Sequence, residues 1–133
     1  MRFLISSLLC FAILLLNGCT KDETNQAATN GWKVTNYMDD GKNLTSSFED
    51  YTFDFQTTGV VTATKGSEIV AGIWKEYTDS GRTKFVLQFA KSGVFEEISE
   101  DWTLVTKTDN LIKLNHNSGN VVNNSGDSLL FEK

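Results

Sequence analysis

Few side chains in this sequence combine the type and spacing that catalysis requires. His116 is the only histidine, and it lies among Asn, Ser and Gly residues, which predicts an exposed turn residue rather than a general base. Acidic residues concentrate at 39–40 and 96–101, but neither group has the ligand spacing of a calcium loop. No glycine-rich phosphate-binding motif is present. We therefore expect a solvated acidic rim, with no catalytic residue, no metal, no cofactor and no enzyme activity.

Cys19 is the residue with the clearest chemical role. An apolar run over residues 3–16 follows a positively charged start, and Gly18 places a small residue before the cysteine, as in a secretory leader. The run is shorter than the roughly 18 to 20 residues that a membrane-spanning helix needs. This arrangement resembles the lipobox of bacterial lipoproteins, in which the leader is removed and the cysteine sulfur carries lipid. We expect a signal peptide at 1–18 and lipidation of Cys19.

The charge and the cysteine content limit the partners of the mature chain. Removal of the leader takes Arg2 away and leaves 11 basic against 17 acidic residues, a net charge of −6. Such a balance argues against nucleic acid, whose phosphates require a basic face. Cys10 leaves with the leader and Cys19 would carry lipid, so no thiol remains for a disulfide or a metal. We expect a monomer that contacts the membrane through its lipid anchor.

Residues 19–30 form a polar run with little apolar surface, which predicts a flexible tether. Within it, Lys21-Asp22-Glu23 is similar to the export signal of lipoproteins displayed on the outer face of some Gram-negative cells. The signal favours a lipid-anchored position on the outer membrane, at the cell surface. A periplasm-facing outer-membrane lipoprotein is the alternative.

Residues 31–133 have the size of one domain, and their pattern is β throughout. Proline is absent, and apolar and polar residues alternate with a period of two between Gly, Asn, Asp and Ser turns. Tyr51, Phe53 and Phe55, for example, alternate with polar residues. The pattern predicts eight strands, A to H, at residues 32–35, 51–56, 60–65, 69–77, 84–89, 102–105, 111–115 and 129–133.

The connections favour an eight-stranded antiparallel up-and-down barrel over a sandwich. Short turns join B to C, D to E and F to G, so neighbours in sequence pair as a meander. Long connections at 38–49, 90–101 and 116–127 alternate with those turns. We therefore expect one nearly closed end and one end that carries a mouth. Strand A starts at the closed end, so the tether should attach there and point the mouth away from the membrane.

The same residues resemble a known group. A Gly31-Trp32 entry, a large first loop, the segments 51–55 and 72–74, and Phe95 leading on to Trp102 are similar to the lipocalin-like domains of small bacterial lipoproteins. The resemblance covers almost all of residues 31–133. It implies a lipocalin-like barrel that binds rather than catalyses.

Strand polarity places several large apolar side chains near the mouth. An eight-stranded barrel either is filled by side chains or holds one small ligand. In the first interpretation the mouth captures a small apolar or amphipathic ligand; in the second the same residues are core, and the long loops act as a surface interaction or inhibitor module. The predicted ligand-binding residues are Tyr51, Phe89, Trp102 and Leu129 at the mouth and Met38, Leu44 and Phe48 in the first loop.

Overall fold

The computed structural model describes residues 29–116 and 126–133. The predicted signal peptide, Cys19, most of the tether and most of the connection between strands G and H lie outside these residues. The described part contains nine strands, one 3₁₀ turn and one short helix. The elements are β1 (Thr29–Asp39), β2 (Lys42–Asn43), a 3₁₀ turn (Thr45–Phe48), β3 (Thr52–Phe55), β4 (Val60–Lys65), β5 (Glu68–Asp79), β6 (Arg82–Phe89), α1 (Val94–Glu97), β7 (Asp101–Lys107), β8 (Leu111–His116) and β9 (Asp127–Glu132).

Eight of the strands close into a barrel. All neighbours pair antiparallel in the order β1-β3-β4-β5-β6-β7-β8-β9, and β9 pairs back with β1. This seam places Val34 opposite Phe131 and Tyr37 opposite Leu129. The predicted all-β, eight-stranded antiparallel closed barrel is therefore confirmed, and it is compatible with a lipocalin-like fold. The two-residue β2, which pairs with the end of β1, was not predicted.

β5 and β6 approach each other closely at Gly72. A Cβ atom on Gly72 would lie 2.5 Å from the carbonyl oxygen of Gln88 and 2.8 Å from Cδ1 of Phe89. Real Cβ atoms do not approach that closely, so only glycine allows the two backbones this spacing. A register shift in β1, between Val34 and Asn36, bends the seam strand in the same manner as a β-bulge. These local features let a flat meander close on itself.

The inward side chains form an aromatic core. In β3 and β9 buried and less buried residues alternate strictly, as a half-buried sheet requires. Phe131 lies 5.2 Å from Phe53 and 5.3 Å from Phe55 between ring centroids, both edge to face, and Trp74 stacks on Phe85 at 5.4 Å. Edge-to-face pairs contribute about 0.5 to 1.5 kcal/mol beyond their buried area.

The two ends of the barrel differ. The turn end carries the short connections at 56–59, 80–81 and 108–110, and the loop-bearing end carries those at 40–51, 66–67 and 90–100, with the end of β8 and the start of β9. Apart from the two-residue turn at 66–67, the described connections follow the predicted alternation of short turns with long loops. Thr29 pairs with Phe55, the last residue of β3, so the chain enters the barrel at the turn end. Within the described residues, no helix is long and apolar enough to cross a membrane.

The barrel carries its own closed sheet and core. Every strand pairing, including the β1–β9 seam, joins residues between Thr29 and Lys133, and the buried cluster lies in the same stretch. A unit of this kind folds as a domain. A chain of residues 20–133 contains this unit and neither cysteine.

Candidate functional site

Three of the predicted ligand-binding residues meet in one aromatic cluster at the loop-bearing end. Phe95, on α1, lies at its centre, 5.4 Å from Phe48, 5.1 Å from Tyr51 and 5.0 Å from Phe89 between ring centroids. All three contacts are edge to face. Phe48 and Phe95, which we call the aromatic plug, belong to connecting segments rather than to the barrel wall. Both are almost completely buried, at 0% and 1% exposure.

The remaining predicted residues lie outside that cluster of ring contacts. Trp102 is buried, donates its indole N–H to the carbonyl of Ile98 at 3.0 Å and packs edge to face on Tyr37 at 6.4 Å. Leu129 is fully buried. Met38 was expected in the first loop, but it belongs to β1. Met38 and Leu44 are each half-buried.

Hydrogen bonds between side-chain hydroxyls and backbone groups fix the plug in place. The N–H of Tyr37 donates to Oγ1 of Thr45 at 2.9 Å, which ties the 3₁₀ turn to β1. Ser99 Oγ donates to the carbonyl of Phe95 at 2.6 Å and accepts from the N–H of Phe89 at 2.9 Å. The Thr45 hydroxyl therefore ties the turn that carries Phe48 to β1. The Ser99 hydroxyl ties Phe95 to Phe89 at the end of β6.

One side of the rim carries a small network of charges around Tyr51. The Tyr51 hydroxyl donates to Oε2 of Glu68 at 3.1 Å, and Lys91 pairs with the same carboxylate. Hydrogen bonds from Lys91 and Tyr51 lower the pKa of Glu68 from its ordinary value of 4.5. A second pair joins Lys65 to Asp50 at 2.8 Å. Both ion pairs are largely exposed, so each contributes little to stability.

The opposite side of the rim brings together Glu100, His116 and Asp127, which we call the polar cluster. His116 is the last residue of β8 and pairs in register with Asp127, the first of β9. It is therefore a half-buried strand residue and not the exposed turn residue that its surroundings in the sequence predict. Its Nδ1 lies 2.7 Å from Oε2 of Glu100 and 3.6 Å from Oδ2 of Asp127. The three ligand atoms all lie within 4.8 Å of one another.

Asp127 and Tyr37 complete the surroundings of the polar cluster. Asp127 is only 6% exposed, and its Oδ1 accepts the backbone N–H of Asp40 at 2.8 Å, which leaves Oδ2 facing His116. Tyr37 is fully buried, and its hydroxyl has no hydrogen-bond partner among the described residues. Burial, and then the charges of Asp39 and three further carboxylates, raise the pKa of Tyr37. These carboxylates are Glu97, Glu100 and Asp127.

Negative charge accumulates at this point. Burial raises the pKa of Glu100, and His116 lowers it. The charges of Asp127 and Asp39 raise the pKa of Glu100 further. Burial and then Asp127 likewise raise the pKa of Asp39. Carboxylates in a partly buried site repel one another unless a cation compensates them. The polar cluster therefore has the donor atoms and the excess negative charge to hold a positive ion.

The sequence reasoning missed this convergence. It treated the acidic residues at 39–40 and 96–101 as separate groups and His116 as isolated. Closure of the sheet brings the end of β1, the start of β7 and the β8–β9 hairpin together. One signal was available: His116 and Asp127 flank the same connection, so any β8–β9 hairpin sets them side by side.

Comparison of the chain with protein-family models, with curated proteins and with solved structures gave no match.

Proposed function

We propose that this chain is a lipid-anchored, lipocalin-like binding protein that captures a small apolar or amphipathic molecule at the loop-bearing end of its barrel. The main support for the proposal is that the aromatic plug belongs to connecting segments and not to the barrel wall. Phe48 and Phe95 close this end, yet they are carried by a 3₁₀ turn and a helix of four residues each, which lie within connecting segments. Such segments move without breaking the strand pairing of the wall, so a ligand gains access by displacing the plug.

Displacement of the plug sets a lower limit on the ligand. Removing a buried phenylalanine from a core costs about 3 kcal/mol at the lower end of the range for Phe→Ala, so two rings cost about 6 kcal/mol. Each CH₂ group of a ligand that replaces them contributes about 0.8 kcal/mol. An alkyl chain therefore needs about eight carbons before its burial offsets the displacement. Smaller fragments would leave the plug closed.

The limit gives a direct test with residues 20–133. Straight-chain alkyl carboxylates of roughly six to fourteen carbons, chosen to bracket that threshold, would be titrated below their micelle concentrations by calorimetry. We expect no binding for the shortest chains and saturable binding for those with more than about eight carbons. Native mass spectrometry of protein purified without detergent should also detect a co-purifying small molecule.

Matched variants separate the plug from the rest of the core. Phe48→Leu and Phe95→Leu lower the cost of opening and should tighten binding of the longer chains. Phe85→Leu removes the same atoms deeper in the barrel, where the ring stacks on Trp74, and should not tighten it. If no chain length binds to the wild type or to either plug variant, the interior does not accept ligands.

That negative outcome would favour the second candidate, a surface interaction or inhibitor module with a filled barrel. The burial of the predicted ligand-binding residues favours it, since Tyr51 and Phe89 are each 7% exposed and Trp102 1%. The charged rim, with Lys65–Asp50 and Lys91–Glu68 pairs, then becomes the contact surface for a protein partner.

The anchor and the location form part of the same proposal. Because the chain enters the barrel at the turn end, a lipid on Cys19 would leave the loop-bearing end directed away from the membrane. Mass spectrometry of the membrane-extracted protein should find diacylglycerol on Cys19, and Cys19→Ser should release the protein from the membrane. Protease treatment of intact cells should digest it at the cell surface; protection until the outer membrane is opened would assign it to the periplasmic face.

A further inference from the structure

We propose that Glu100, His116 and Asp127 form a binding site for a divalent first-row transition metal ion of the zinc class. The inference concerns the rim of the loop-bearing end and does not depend on the proposed capture of an apolar ligand. The donor set is one imidazole nitrogen and two carboxylate oxygens. Three protein ligands with room for a water are typical of open zinc sites.

The distances fit a small ion. Ligand atoms at about 2.1 Å from a tetrahedral zinc are about 3.4 Å from one another. In the polar cluster the His116 nitrogen lies 2.7 Å from Glu100 Oε2 and 3.6 Å from Asp127 Oδ2. These separations bracket the required value, so small side-chain movements suffice. Asp127 is already oriented, because Asp40 holds its other oxygen.

Tyr37 supplies an independent observation. Its side chain is fully buried, and its hydroxyl has no partner in the described part of the chain, although an unsatisfied buried hydroxyl is costly. Its ring packs on Trp102 at 6.4 Å, and Trp102 packs on His116 at 6.0 Å between ring centroids, which places Tyr37 beside the polar cluster. A hydroxyl in that position is suited to hydrogen-bond a metal-bound water or a ligand carboxylate. Such outer contacts are typical of metal sites.

An ion pair between His116 and Glu100 accounts for one contact of the cluster, at 2.7 Å. It does not bring Asp127 Oδ2, which lies 3.6 Å from the same nitrogen, within hydrogen-bond distance. The imidazole also disfavours calcium and magnesium, which take oxygen ligands.

The test uses residues 20–133 without a histidine tag. Zinc chloride would be titrated by calorimetry and, in parallel, by NMR of the imidazole signals, which belong to His116 alone because the chain has one histidine. We expect saturation at one ion per chain and a shift of the His116 resonances that saturates at the same ratio. Calcium chloride should leave those resonances in place. Failure of zinc to bind saturably, or binding that leaves His116 unshifted, would overturn the proposal.

Variants identify the ligands. Loss of an outer-shell partner costs about 10- to 100-fold in metal affinity, so His116→Ala and Glu100→Gln should each weaken zinc binding by at least about tenfold. Asp127→Asn should do the same while its Oδ1 still accepts from Asp40. Glu132→Gln removes a carboxylate from the opposite end of β9 and should bind zinc as the wild type does. Equal weakening in Glu132→Gln would refute the assignment, and the NMR result on the wild type holds even if a variant fails to fold.

Discussion

Substitution of Phe48 by alanine tests whether the aromatic plug belongs to the core. Phe48 is fully buried and touches four aromatic rings, those of Tyr37, Tyr51, Phe53 and Phe95, with centroids between 5.4 and 6.3 Å away. Phe→Ala in a core costs about 3 to 5 kcal/mol, less where the surroundings can collapse into the space. The 3₁₀ turn can move inward, so we expect a loss of about 3 kcal/mol.

Urea unfolding of residues 20–133, followed by tryptophan fluorescence, measures this loss. The slope of the unfolding free energy with urea should stay constant while the midpoint falls, and the midpoint of thermal unfolding should fall by roughly 15 °C. Phe48→Leu should lose only about 1 kcal/mol, and Ser46→Ala, an exposed position in the same turn, should change little. A loss below about 1 kcal/mol for Phe48→Ala would mean that the turn does not pack on the barrel, which contradicts a closed loop-bearing end.

Three further perturbations probe the wall and the rim. Gly72→Ala should destabilise the barrel by about 1 to 3 kcal/mol in urea unfolding, because its Cβ would meet backbone at 2.5 Å. Ala71→Gly, on the outer face, should cost less. A larger loss for Ala71→Gly than for Gly72→Ala would contradict the close approach of β5 and β6. Lys107→Met should lower the free energy of unfolding by about 2 kcal/mol, between the values for exposed and buried ion pairs. The reason is that Glu76 would remain unpaired at 18% exposure. An unchanged free energy of unfolding would mean that the pair is solvated. Glu68→Gln should lower stability slightly at pH 7 and less at pH 3. A carboxylate whose folded pKa lies below its ordinary 4.5 contributes stability above pH 4.5 that is lost as the pH falls through the folded pKa. An equal effect at both pH values would exclude the charge as its cause.

The architecture was predictable because local patterns alone specify it. Period-two alternation in segments such as 51–55 sets which faces are buried, and short Gly- and Asn-containing turns join neighbouring strands, so the meander follows from adjacent pieces of sequence. Strand ends were less predictable, since β1 extends through Met38 to Asp39.

The candidate site was less predictable because it depends on contacts between distant segments. Tyr37 and Asp127 approach each other only after β9 closes onto β1, and no local pattern encodes the side chains that closure brings together. The sequence also does not show whether side chains fill the barrel interior, because the same rings can line a cavity or pack on one another. Phe48 lies in the first connection, as expected, and its complete burial is a property that the sequence does not show.

The aromatic core, the plug and the polar cluster all require β9 to pair with β1 and so close the sheet. Amide hydrogen exchange combined with interstrand NOE measurements on residues 20–133 tests that pairing most directly. We expect slow exchange across the seam and NOEs between opposed residues, for instance Val34 with Phe131 and Tyr37 with Leu129. Rapid exchange in both strands, with no NOE between 33–38 and 128–132, would contradict the pairing.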